Sequence, residues 1–231
     1  MNINSTKSSA LKRRLELQTN QQIDLNSWIF ENMYLDRSED ILELCCGLGN
    51  QTQQFDALVD RGTITSVDLN LESINIAKNS LPNNRVKFVL ADIDNVSSYA
   101  TDYYDLIFCS YGFYYSKNPQ NLFHELKNRL NSNGRFVLVG PIAKNNLEIF
   151  RIVKSIGCSI PTTVLYSSEQ FMLNMLNLFL DWFENVTLKR VENKIEYKNP
   201  DQLLEYWKNT TFYSVGKDKQ FLDKSLEIYP N

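Results

Sequence analysis

The sequence predicts an α/β protein: a doubly wound, mostly parallel sheet with helices on both faces. Two observations predict it. Over residues 41–139, short β-branched or apolar runs alternate with helical patterns, the order of repeated strand–helix–strand units. The runs are apolar without alternation, as strands buried on both faces are. The composition agrees. Hydrophobic residues make up 43% of the 231 and charged residues 22%, which fits a globular chain and excludes a disordered or collagenous one. This length can bury a core without disulfide or metal support.

The elements follow in order. Residues 1–35 read as helical, with Leu11, Leu15 and Leu17, then Ile23, Leu25, Trp28, Ile29 and Met33, set among polar neighbours. Ile41–Leu44 is a short apolar run entering a glycine turn, and helical signals continue through Leu58. Thr63–Val67 is β-branched and reads as a strand. Leu71–Asn79 reads as a helix stopped near Pro82, and Val86–Leu90 and Asp105–Cys109 as strands. Pro119–Leu130 is an amphipathic helix with Asn133-Gly134 at its exit, followed by a strand at Arg135–Val139. Beyond Gly140 the pattern changes. Pro161–Ser168 reads as a loop and Glu169–Phe183 as an apolar helix. Val186–Val191 and Lys194–Tyr197 read as two strands turning at Glu192-Asn193, and helices follow at Pro200–Asn209 and Lys217–Ile228. No boundary marks an independent second domain.

Several function classes drop out. With 24 basic and 27 acidic side chains the net charge is −3, so there is no global electrostatic footprint for nucleic acid. The apolar stretch Phe171–Phe183 is broken by Asn174, Asn177 and Asp181, which argues against a membrane span. The first twenty residues lack the apolar core of a signal peptide. The four cysteines, Cys45, Cys46, Cys109 and Cys158, form no CxxC pair, so no metal site and no disulfide framework is expected. A cytoplasmic protein is the expectation.

The informative segment is Glu43-Leu44-Cys45-Cys46-Gly47-Leu48-Gly49, a strand running into a tight turn that opens a helix. Glycine lets the backbone approach a ligand, and a helix start offers unpaired N–H groups. Asp68 ends the second strand, where an acid can bind ribose hydroxyls. Asp92 follows the third strand, where it could meet an adenine amino group. Both also suit helix N-caps. The dinucleotide pattern G-x-G-x-x-G fails because Thr52 stands at its last glycine, and no P-loop lysine follows. Glu43 would repel a pyrophosphate but attract a sulfonium or an α-amino group. A cationic or zwitterionic nucleoside fits better than NAD or ATP.

At these residues the sequence resembles the class I S-adenosylmethionine-dependent methyltransferases, in particular the small-molecule, ubiquinone/menaquinone-biosynthesis-like type 11. The family's first motif is acid-x-G-x-G-x-G, and ELCCGLG keeps Glu43, Gly47 and Gly49 with Cys45 at the first glycine. Asp68 matches the ribose acid, Asp92-Ile93 the adenine motif, Tyr104–Ser110 the fourth-strand motif, and Leu122–Val139 the helix-turn-strand that follows. The resemblance implies a Rossmann-like sheet of seven strands with an antiparallel end. Val186–Tyr197 would supply that hairpin, or only its sixth strand. It implies one domain over 1–231, with a helical lid at 1–35, a cofactor-binding core at 36–142, and lid and C-terminal strands at 143–231. It assigns S-adenosylmethionine to Glu43, Cys45, Gly47, Gly49, Asp68, Leu69, Asp92, Ile93 and Ser110, with S-adenosylhomocysteine as product.

The implied reaction is methyl transfer to an O, N or C nucleophile of a small-molecule acceptor. The donor carbon is already activated, so the protein mainly aligns the reactants and excludes water. Tyr111, Tyr114 and Tyr115 fall beside the expected methyl position and suit a flat or apolar acceptor, or serve as packing. No catalytic residue and no oligomeric state is assigned. His124, the sole histidine, is a candidate base but sits mid-helix. Trp28, Phe171, Met172, Met175, Trp182 and Trp207 suit either an acceptor pocket or core. Two other readings stay open: a methyltransferase acting on RNA or protein, and a cofactor-binding subunit without catalysis.

Overall fold

The computed structural model describes residues 7–81, 85–142 and 145–229. They form two compact units: Leu25–Gly140, and the segments up to Asp24 and from Pro141 onward. Helix α1 (Ser8–Leu17) opens the chain and belongs to the second of these. Leu25–Gly140 then holds α2 (Leu25–Glu31), β1 (Ile41–Leu44), α3 (Asn50–Leu58), β2 (Ile64–Asp68), α4 (Leu71–Asn79), β3 (Val86–Leu90), β4 (Tyr104–Ser110), α5 (Pro119–Lys127) and β5 (Leu130–Val139). After it come α6 (Leu147–Ser155), α7 (Thr162–Glu169), α8 (Phe171–Trp182), α9 (Pro200–Lys208) and α10 (Asp218–Ile228).

The strands pair in the order β3-β2-β1-β4-β5, all parallel. The chain walks outward from β1 to β3, then returns to the other side of β1. That reversal leaves a crevice at the carboxyl ends of β1 and β4, where open parallel sheets bind ligands. β1 is buried along its whole length, as the central strand of the sheet must be. On one face the rings of Phe30, Phe55 and Phe108 meet edge to face, with centroids 5.0 and 5.2 Å apart. Phe136 meets both Phe113 and Phe123 in the same manner. Polar side chains fix the amino ends of the strands. Asp40 accepts from the backbone and hydroxyl of Thr63, and Arg135 grips Glu39 with two bonds of 2.6 and 2.9 Å. Asparagine caps start the helices after the sheet edge: Asn70 accepts from the Ser73 N–H and Asn118 from the Asn121 N–H, with Pro119 in the first turn of α5.

The expected antiparallel C-terminal strands are not formed among the described residues. Residues 186–197 form no strand and make one isolated antiparallel bridge, Ile195 to Gln21. Their hydrogen bonds go to the loop after α1: the Gln22 N–H donates to Lys194, the Glu196 N–H to Asn20, and the Asn193 amide to Gln21 and Ile23. The segment's extended preference is satisfied there, so the sheet ends at five strands. Other elements also differ. Residues 162–168 of the expected loop are helical, since Pro161 precedes the first turn instead of breaking it. The N-terminal helical reading resolves into α1 and α2, and α6 went unread. Asn133-Gly134 lies inside β5, at an irregularity in its pairing with β4; a Cβ on Gly134 would come 2.8 Å from the Tyr104 carbonyl. Pro82, the expected stop for α4, lies outside the described residues; α4 ends at Asn79. No helix among the described residues is long and apolar enough to cross a membrane.

The unit holding α6–α10 has its own core. Trp207 is fully buried there, stacked on Phe221 at 4.4 Å, with its indole N–H donated to the Phe212 carbonyl. Of the aromatic pocket candidates, this one is core. Arg14 of α1 donates to the carbonyl of Asn209 at 2.6 Å, and Arg13 reaches Glu205 at 3.4 Å. Replacing Trp207 with Ala leaves a cavity of indole size. We expect a loss of about 3–5 kcal/mol in denaturant unfolding followed by far-UV dichroism.

Candidate active site

The turn after β1 is held in an unusual backbone shape. Cys45, Gly47 and Gly49 all have positive φ, at 55°, 54° and 84°. Glycine adopts this region freely. Cys45 does not, and its left-handed conformation costs roughly 1–2 kcal/mol. It occupies the position where the resembled family has its first glycine. Gly49 is needed for space as well: a Cβ there would sit 2.7 Å from the Ala77 Cβ. The turn closes through Gly49 N–H to Cys46 carbonyl at 2.9 Å, and Cys46 N–H donates to Val67 at 3.0 Å. α3 starts at Asn50, so its N-terminal N–H groups open toward the same edge.

Glu43 lies under the turn in β1 and is 1% exposed. Its Oε2 accepts from the Thr52 hydroxyl at 2.6 Å and the Ser66 hydroxyl at 2.7 Å. Burial pushes its pKa up to about 7 against the opposing pull of these two bonds. One carboxylate therefore joins β1, β2 and α3. Thr52, which breaks the dinucleotide pattern, supplies one of the two hydroxyls.

Asp68 ends β2 and reaches back to the turn. It accepts from the Gly47 N–H and the Asn70 N–H, both at 2.8 Å. Burial raises its pKa, and these backbone bonds oppose the rise. It is not the cap of α4; Asn70 is. Leu69 beside it is exposed. Asp92 follows β3 and accepts from the Asp94 N–H at 3.0 Å and from Lys117 at 3.3 Å. The Asp94 N–H and then Lys117 hold its pKa below the usual value. Asp94 in turn accepts from the Ser116 hydroxyl and the Lys117 N–H, which joins the β3 and β4 loops. Ile93 is buried, its carbonyl accepting from the Tyr99 hydroxyl.

Ser110 closes β4, and Tyr111 follows with φ 53°, a second left-handed non-glycine residue. The Tyr111 N–H donates to Val139 at 2.9 Å, and the ring is 40% exposed. Phe113–Tyr115 form a short 3-10 turn, with Phe113 buried and the Tyr114 and Tyr115 rings 4.8 Å apart. All twelve sequence-derived positions thus lie at the carboxyl ends of β1–β4 or in the turns leaving them. His124 does not. It lies in the last turn of α5, and a crossover helix runs back against the strands toward their amino ends.

Residues 42–138 match the family described as "Methyltransferase domain". The match spans less than half of the chain, and over it the chain is similar to the S-adenosylmethionine-dependent methyltransferases of type 11. Protein 235L of Invertebrate iridescent virus 6, assigned as a methyltransferase, is 24% identical over 116 residues, which span 50% of this chain and 42% of that protein. The chain thus spans less than half the length of this curated relative. A Bacillus halodurans C-125 protein assigned as a methyltransferase has a similar fold, with TM-score 0.53 and 15% identity over 68% of this chain and 67% of its own.

The resembled family's cofactor is S-adenosylmethionine, and the residues present fit such a group. The Gly49 cradle admits no Cβ, the α3 N–H groups face the edge, and acids stand at the ends of β2 and β3. No cluster of His, Cys, Asp or Glu able to hold a metal occurs among the described residues. The sequence reading passed over Thr52, Ser66, Asp94 and Lys117. Thr52 carried a signal in its position; Ser66 and Lys117 carried none, since their partners are remote in sequence.

Glu43 gives a pH test with a definite sign. Its folded pKa lies above the ordinary 4.5, so its contribution is fully present below pH 4.5 and is lost as pH rises through about 7. Glu43→Gln keeps a carbonyl oxygen to accept from both hydroxyls and cannot ionise. Relative to the wild type, the variant should gain stability between pH 4.5 and 7, by on the order of 3 kcal/mol, with little change above. Urea unfolding at a series of pH values measures this, and a pH-independent difference would contradict it.

Proposed function

We propose that this chain is an enzyme that transfers a methyl group from S-adenosylmethionine to an O, N or C nucleophile of a small, planar acceptor. The observation that carries the acceptor class is Tyr111: a ring exposed at the cofactor edge and held in a strained backbone conformation. Strain of this kind persists where the surroundings over-determine a residue, and it concentrates at functional sites. Tyr114 and Tyr115 extend the ring surface.

The cofactor, when bound, supplies a sulfonium methyl whose carbon–sulfur bond breaks as the bond to the acceptor forms. The Cys45–Gly49 turn and the start of α3 supply backbone N–H groups to hold it. Asp68 offers the ribose hydroxyls the lone pairs its two backbone donors leave over. Asp92, kept ionised by Asp94 and Lys117, is the acceptor for the adenine side, with Ile93 as apolar support. Glu43 sets the turn beneath the amino acid end. Tyr111, Tyr114 and Tyr115 stack on the acceptor and keep water from the reacting atoms. The mild net charge of −3 favours a small acceptor over RNA. The free thiols Cys45, Cys46, Cys109 and Cys158 suit a cytoplasmic setting.

Two variants test this reading. Asp68→Ala removes a carboxylate from the ribose position and from the Gly47 N–H. Calorimetry with S-adenosylhomocysteine should show binding weakened by about 1–3 kcal/mol, and unchanged affinity would reject the assignment. Tyr111→Gly removes the ring and the backbone strain together. Its thermal stability should match or exceed the wild type, while kcat/KM drops at least about tenfold, as for loss of a stacking contact. The rate is read with labelled S-adenosylmethionine on a panel of phenols and heteroaromatic amines. Label transferred to RNA or protein instead would overturn the acceptor class.

A further inference from the structure

Cys45 is the one residue that departs from the glycine turn of the resembled family, and its thiol has a partner. In the parallel pairing of β1 with β4, Leu44 stands opposite Cys109. Cys45 is the next residue along. Neighbouring strands lie about 4.8 Å apart and rise about 3.3 Å per residue, which sets such neighbours about 6 Å apart. That is within the Cα separations disulfides span. Cys109 is the neighbour that chiefly pushes the Cys45 thiol pKa up, as expected of two thiols side by side. Both sulfurs crowd the same point of the backbone: a Cβ on Gly112 would lie 2.6 Å from the Cys45 sulfur and 3.3 Å from that of Cys109. Gly112 is thus the residue that leaves room for the pair. Cys109 is fully buried, whereas Cys45 is partly exposed and so is the member a small oxidant can reach.

We propose that Cys45 and Cys109 form a reversible disulfide that locks the cofactor turn to β4. The oxidant is a peroxide. The Cys45 thiolate attacks a peroxide oxygen, giving a sulfenic acid and one molecule of water. The Cys109 thiol then displaces the hydroxyl as a second water and closes the S–S bond. Each sulfur gives up one electron overall, and hydrogen peroxide takes both. The neighbouring Cys109, then burial, push the Cys45 thiol pKa up, so the first step is slow and answers sustained oxidant, not a brief pulse.

Covalent linkage draws the sulfurs from contact to about 2.05 Å. Cys45 begins the turn whose Gly47 N–H bonds to Asp68, and Cys109 precedes Ser110 and the strained Tyr111. The lock therefore acts on both walls of the crevice, and this consequence rests on the cofactor reading above.

The experiment treats the full chain with hydrogen peroxide, then maps its peptides without reduction. A Cys45–Cys109 crosslink, with loss of two hydrogens and reversal by dithiothreitol, is expected. S-adenosylhomocysteine should bind the oxidised protein about tenfold more weakly than the reduced one. In Cys109→Ala the crosslink and the peroxide effect should both vanish. A Cys45–Cys46 bond, a bond to Cys158, or oxidation of single thiols only would overturn the proposal, as would a crosslink that leaves affinity unchanged. The map uses wild-type protein, so it decides even if the variant folds poorly. A reduced protein that fails to bind S-adenosylhomocysteine would count against the cofactor reading, while the map still decides the crosslink.

Discussion

The geometry of the cofactor edge depends on how one buried carboxylate is satisfied. Glu43 occupies the central strand, where a charge without partners would cost far more than any nearby packing could return. Two hydroxyls meet it, one from β2 and one from α3. To do so, α3 must begin close above β1, and the connecting turn has only five residues in which to reverse. The left-handed φ values at Cys45, Gly47 and Gly49 follow from that short reversal. Asp68 then fixes the middle of the turn from the side. The turn is thus a chain of obligations that starts from one acid and passes through Asp68.

The same logic separates the two ends of the sheet. At the amino ends, polar groups are used up in structural bonds: Asp40 with Thr63, Asp105 with Asn131, Glu39 with Arg135. At the carboxyl ends, acids and rings keep unspent capacity. Asp92 has one side toward Lys117 and is well exposed, and Tyr111 shows much of its ring. A structure that satisfies one edge internally and leaves the other partly open offers the open edge to a ligand.

Much of this was legible in the sequence because the relevant signals are local. The strands were apolar runs, the turn was glycine-rich, and Asp68 and Asp92 followed their strands directly. What escaped depended on partners remote in sequence. Residues 186–197 have the β-branched pattern of strands, but their hydrogen bonds go to residues 20–23, and no local feature encodes that choice. Pro161 suggested a loop because proline breaks helices from within, yet it stands just before one. Asn133-Gly134 suggested a turn, but its glycine relieves contact with the Tyr104 carbonyl inside a strand. For the site, sequence order brought the acids to one edge but gave no hint of Ser66 or Lys117. Nor could it reveal that Cys45 and Tyr111 share a left-handed backbone.

Those two strained residues face a common constraint. Cys45 and Tyr111 are the residues that directly follow β1 and β4, the two strands flanking the crevice. Each strand must turn away sharply there, or its continuation would fill the space a ligand needs. Glycine would do this without strain at either position, at the cost of the side chain. A thiol at one and a phenol at the other cost roughly 1–2 kcal/mol each in backbone terms. Tyr111 is 40% exposed, so burial offsets only part of that cost. For Cys45 the thiol sits beside Cys109 in the gap that glycine at position 112 leaves. Side chains kept against backbone preference at both lips of a ligand crevice are better explained by what they contact or become than by the stability of the fold.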